Sequence, residues 1–160
     1  MSTMLTKLEI IDQILHLLHK TSIYDPEYES VATLPFEEWY IGDLSPVVRV
    51  GEQDCELAMY ERGVKMLSKR TKDPDEVVFW ILEDTIHTIA HLKLLQKYKV
   101  DNVTTHLKYT KDEIQEMKDM INESFLQIGG QYEEWHKAGK RKELESSNPG
   151  RNAGKCTERS

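Results

Sequence analysis

SPVVRVGEQDCELAMYERGVKMLSK, residues 45–69, is the stretch on which the fold class turns. Ser45 followed by Pro46 has the form of a helix N-cap with proline at the first helical position, where no amide hydrogen is needed. Val50, Leu57, Tyr60, Val64 and Leu67 then fall on one side of a helical wheel, and Val48, Cys55, Met59 and Met66 on the other. The expectation is a helix from Pro46 to Lys69 covered by more than one neighbour. Gly51 and Gly63 each cost such a helix about 1 kcal/mol relative to alanine, which allows an interruption near Gly51.

The flanking sequence supplies three more helices. Met4, Leu8, Ile11, Leu15 and Leu18 recur at steps of four and three, a helix over about 3–20, and Thr6 with Glu9 forms a capping box that trims its start. Asp73-Pro74-Asp75-Glu76 is a strong helix start, and Ile86, Ile89, Leu92 and Leu95 carry the period on to about Lys99. Asp101–Tyr109 is a connection, and Thr110 with Glu113 caps a last helix. That helix runs through Ile114, Met117, Ile121, Phe125, Ile128, Tyr132 and Trp135, kinks at Gly129-Gly130 and ends near Gly139. The fold class expected is therefore all-α: a four-helix bundle over residues 1–139, with a flexible basic tail over 140–160.

Composition limits the function. A chain of 160 residues, 39% hydrophobic and 31% charged, is one globular domain with a single core. No apolar run is long enough for a membrane span, and the start has no signal-type core, so a cytoplasmic protein is expected. Cys55 and Cys156 alone build neither a disulfide framework nor a four-cysteine zinc site. Up to His136 the chain carries 14 basic and 25 acidic residues, a net −11, and beyond it 7 and 3, a net +4. A body of that sign disfavours nucleic acid. Phosphate-binding loops, the dinucleotide fingerprint, the hydrolase elbow and the zincin motif are all absent. Cys55 has no base one helical turn away, so it reads as a small buried thiol rather than a nucleophile.

The connection from Thr21 to Leu44 is far longer than a bundle needs. It carries Tyr24, Tyr28, Phe36, Trp39 and Tyr40, five of the thirteen aromatic residues, with Glu37 and Glu38 between them. Pro35–Tyr40 fits a short fifth helix. Two readings stay open: the rings plug the bundle, or they form a recognition surface with the acidic residues.

A second group of residues could carry chemistry. Asp84, His87 and His91, at spacings of three and four, project from one side of the third helix, and Asp12, His16 and His19 share a side of the first. His-x3-His gives one metal two imidazoles, with Asp84 as a third ligand or a hydrogen-bond acceptor. Over these few residues the chain resembles metal-binding bundles. Asp84-x2-His87 and Glu133-x2-His136 approximate the paired Glu-x2-His of ferritin-like di-iron proteins without the bridging glutamates. His87-x3-His91 is similar to part of the hemerythrin-like pattern, and His19 or His16 with His87 and His91 to the three-histidine set of DinB-like bundles. Mixed imidazole and carboxylate ligation suits Zn or Fe, which would activate a bound water, with Asp84, Asp54 or Glu61 as base. The same spacings also arise as hydrogen-bonded surface pairs.

Two functions follow. The first is an acidic bundle, without cofactor or catalysis, that acts by binding another protein as adaptor, inhibitor or regulator through Tyr24, Tyr28, Phe36, Glu37, Glu38, Trp39 and Tyr40. The second is a metal-binding bundle using His87, His91, Asp84 and His16 or His19, with or without enzymatic activity. The apolar seam from Ile114 to Trp135 also allows a helix-mediated homodimer.

Overall fold

The structure, a computed structural model, describes residues 5–101 and 108–146. Helix α1 (Lys7–Leu18) starts at the expected capping box, with Glu9 N–H donating to Thr6 Oγ1 (3.2 Å) and Thr6 N–H to Glu9 Oε1 (2.8 Å). It buries Ile10, Ile14, Leu17 and Leu18. The long connection folds into a 3-10 turn (Pro26–Tyr28), the short helix α2 (Glu29–Thr33) and a second 3-10 turn (Leu34–Phe36). The chain leaves helical geometry at Glu37 (φ −73°, ψ 132°), so the short helix lies before Pro35–Tyr40 rather than on it. Residues 37–44 then cross to the next element as a strap.

That next element overturns the all-α expectation. Residues 46–71 form a three-stranded antiparallel sheet, β1 (Pro46–Val50), β2 (Cys55–Glu61) and β3 (Val64–Thr71), in the order β1-β2-β3. The protein is mixed α/β, not a four-helix bundle. Val48 lies opposite Leu57, Met59 opposite Leu67 and Cys55 opposite Thr71, which puts these apolar side chains on one face, while Val47 and Ala58 are buried on the other. Val48, Val50, Cys55, Leu57, Met59 and Leu67, which needed two sides of a helix, share one face of a sheet, because its period is two. Gly63, read as a helix penalty, is a turn residue: Arg62 (φ 51°) and Gly63 (φ 80°) form a two-residue hairpin loop, and two central residues in the left-handed region give a turn that matches the right-handed twist of the strands. Pro46 opens an edge strand, a position proline tolerates as well as a helix start.

Helix α3 (Pro74–Lys97) is the hub. Asp73 caps it by accepting from Asp75 N–H (2.9 Å), and every residue from Val77 to Glu83 is buried. Such continuous burial needs neighbours all round, and α1, α2, the sheet and α4 (Lys111–Ile128) supply them. The Thr110–Glu113 capping box of α4 is present as read. Gly129 (φ 70°) and Gly130 (φ 61°) break the period, and α5 (Gly130–Ala138) follows in a new direction. The seam from Ile114 is mostly spent within the chain: Ile121, Phe125, Ile128 and Tyr132 are core residues, whereas Ile114 is exposed.

A further helix, α6 (Lys140–Ser146), occupies residues the composition assigned to the tail. Gly139 in the left-handed region ends α5 and turns the chain back onto α3, where Leu144 is buried and Lys140 Nζ lies 2.9 Å from Glu76 Oε2. The rest of the tail, and the segment 102–107 of the Asp101–Tyr109 connection, lie outside the described residues.

Cys55 is fully buried in the sheet, and burial pushes its thiol up to about 11, with the Asp54 carboxylate adding to the effect. Native protein treated with iodoacetamide at pH 8 is expected to leave Cys55 unmodified, and urea to expose it. Peptide mass spectrometry reads the difference, and rapid native labelling would refute the burial.

Candidate functional site

The strap divides the aromatic residues of the connection into two classes. Tyr28 and Phe36 are buried, with Tyr28 Oη 3.4 Å from Gln96 Oε1 on α3, so these two rings are plugs. Tyr24 is half-buried, donates to Glu29 Oε2 (2.7 Å) and packs its ring 4.2 Å from that of His19. Tyr40 is half-buried over Gly42, where an added Cβ would collide with the phenol oxygen. Trp39 is different: it is 71% exposed, and its ring meets that of Tyr40 edge-on at 5.9 Å. Glu37 and Glu38 beside it are exposed.

A half-buried clamp fixes this strap. Arg49, on β1, donates Nη1 to Glu37 O (3.3 Å) and Val48 O (3.2 Å), and Nη2 to Glu38 O (3.2 Å) and Tyr40 O (2.8 Å). A planar guanidinium with donors on both nitrogens can hold several carbonyls at once, which an ammonium does less well. At its far end the strap is tied to the sheet by Leu44 N–H to Tyr60 O (2.7 Å) and by Arg62 N–H to Asp43 Oδ1 (2.8 Å). Ile41 and Leu44 are 50% and 55% exposed, and the adjoining hairpin exposes Val64 and Met66. The result is an apolar strip with Trp39 at one end, interspersed with the carboxylates Glu37, Glu38 and Asp43. Nothing in the sequence marked Arg49, because its acceptors are backbone groups brought to it only when β1 forms beside the strap.

The residues read as metal ligands are not brought together. His16 and His19 are exposed on α1, His91 stacks on Tyr109 at a centroid distance of 6.2 Å, and Asp84 faces Arg141 Nη2 at 4.0 Å. Among the described residues no three histidine, cysteine or acidic side chains are placed to hold a metal ion. The physical reason is that α1 crosses α3 with its apolar face inward, which turns both of its histidines to solvent. Burial raises the Asp84 carboxyl above the usual carboxylate range, against the pull of Arg141 and His87.

The buried polar centre instead involves Glu83, which the sequence reading did not single out. Glu83 is 4% exposed, its Oε2 lies 2.6 Å from His136 Nδ1, and its backbone oxygen lies 2.7 Å from His87 Nδ1. His136 Nε2 lies 2.9 Å from Asn122 Oδ1. Trp80 Nε1 donates to Glu145 Oε2 (3.1 Å), which also takes Arg141 Nε (3.2 Å). These pairs link α3 to α4, α5 and α6, and their chemistry is that of structural pairing.

The strap thus gathers an exposed indole, exposed aliphatic side chains and carboxylates on a backbone that Arg49 holds in place. No curated protein and no solved structure matches the chain. No helix among the described residues is long and apolar enough to cross a membrane. The family model described as Immunity protein 63 matches residues 52–145, from the β1–β2 turn to α6. With more than half of its length matched, the chain belongs to the Immunity protein 63 family.

Proposed function

We propose that this protein neutralises a toxin protein by binding it, and that the strap is the part that docks. Trp39, Ile41 and Leu44 supply the apolar contact, Glu37 and Glu38 the polar rim, and Tyr24, Tyr28, Phe36 and Tyr40 the support beneath. The observation that carries this reading is Trp39, an exposed indole on a backbone that three Arg49 hydrogen bonds hold in place. Tryptophan is among the residues that dominate binding energy, and a loop ordered before binding loses little entropy when it docks. Membership in an immunity family supports the choice of a toxin as partner and of inhibition as the outcome. The net charge of −7 favours a cationic face on that partner and speeds the encounter.

The test begins with affinity-tagged full-length protein recovered from its own cells with its partners, which mass spectrometry identifies. Each partner is then expressed in an unrelated host, alone and with this protein. One partner is expected to arrest growth alone and to be harmless in company. Partners that are all harmless, or a toxic one that excess of this protein fails to silence, would overturn the proposal.

A further inference from the structure

Beside the strap lies the outer edge of β1, and its backbone has a defined polarity. Gly51 N–H bonds to Asp54 O across the β1–β2 turn (2.8 Å). In an antiparallel ladder, residues alternate between pointing both main-chain groups at the neighbouring strand and pointing both away. Gly51, Arg49 and Val47 therefore face β2, and Val50, Val48 and Pro46 face outward. Two facts agree with this assignment. Pro46, which has no N–H to offer, occupies an outward position. The outward oxygen of Val48 accepts the Arg49 side chain at 3.2 Å. Among the described residues, the N–H and C=O of Val50 take part in no hydrogen bond.

Along this edge runs a groove of about 670 Å³. Leu5, Phe36, Val48 and Val50 give it an apolar floor, and Glu38 and Glu52 stand at its rim. Lys7 and Arg49 are the lining cations, Arg49 bonded to main-chain carbonyls, and among the described residues neither is ion-paired to Glu38 or Glu52. An occupant has to offer backbone donors and acceptors to Val50, an apolar side chain to the floor and positive charge to the rim. Only an extended polypeptide has the first of these at strand spacing. Glu38 belongs to both groove and strap, so a chain leaving the groove meets Trp39.

We infer that an extended, basic segment of the toxin lies in this groove and adds to the sheet as a strand on the outer edge of β1. The inference rests on the immunity reading and specifies how the partner is gripped. Hydrogen exchange at the Val50 amide, followed by NMR on the full-length protein alone and with the toxin identified above, tests it. The amide is expected to exchange at least tenfold more slowly in the complex. Val50→Pro removes this outward donor while keeping the ladder bonds of Arg49 and Gly51, and is expected to weaken toxin binding about tenfold. A Glu38→Lys, Glu52→Lys double variant, altered only at exposed positions, is expected to weaken it further at low salt.

A complex in which Val50 exchanges as in the free protein would refute the added strand and leave toxin binding intact as a reading. Protection of Val50 without toxin that grows with protein concentration would assign the edge to a second copy of this chain and overturn the inference. Failure to find any toxin overturns both.

Discussion

Truncating Phe125 to alanine is expected to cost about 3–5 kcal/mol of folding stability, read as a lower urea midpoint with an unchanged slope. Phe125 has no solvent exposure, and its ring lies 6.0 Å from that of Phe79 on α3. On its other side it stacks on the His136 imidazole at 4.2 Å, with only 8° between the planes. The ring is thus both a core side chain and the wall that positions His136 against Glu83. Alanine would leave a cavity and also loosen the partner of a carboxylate that is 4% exposed. A buried charge whose partner is lost is costly in its own right, which places the effect toward the upper end of the range. Against a total stability of about 5–15 kcal/mol, the variant is close to the limit of folding. A loss below about 1 kcal/mol would show that α4 and α5 repack freely and that the stack has no structural role.

Trp39→Ala is expected to act on binding and to leave the fold alone. Toxin affinity should fall by about 30- to 1000-fold, the range for an aromatic hot spot, measured by calorimetry with the partner recovered above. The folding midpoint should move by no more than about 0.5 kcal/mol, because the side chain is 71% exposed and contributes little to the core. Phe36→Ala is the informative contrast. It lies three residues earlier in the same connection, is 2% exposed, and should lose stability by about 3 kcal/mol or more. The two variants thereby test plug and recognition surface at different residues. A Trp39→Ala protein that binds as tightly as the parent would remove the strap from the interface, and one that unfolds would return Trp39 to the core.

The error over residues 46–71 has a definite physical origin. Ser-Pro suits the start of a helix and also the entry to an edge strand, and an apolar set of period two, laid on a helical wheel, resembles a helix buried on two sides. The informative signals were Val47, Val48 and Val50, whose branched side chains favour strands, and Arg62-Gly63 midway between two alternating runs. The metal reading drew on real spacings on α1 and α3, but spacing along one helix says nothing of how that helix is rotated against the next. Glu83, the carboxylate that does meet a distant histidine, sits in an apolar run that drew no attention as a site.

What the chain alone settles is whatever depends on neighbours within one or two turns. The capping boxes of Thr6 with Glu9 and Thr110 with Glu113, the Asp73-Pro74 start of α3 and the interruption at Gly129-Gly130 are all short-range geometry, and all are present. The surplus of aromatic and acidic residues between Thr21 and Leu44 was equally visible. Tertiary structure alone decided that residues 46–71 pair as strands, that α6 folds back onto α3, that Phe36 points in while Trp39 points out, and that Arg49 clamps the strap. Each of these depends on contacts outside a single helical turn, across the hairpins, from Arg49 to the strap and between α6 and α3, whose energy exists only once the chain has brought the partners together.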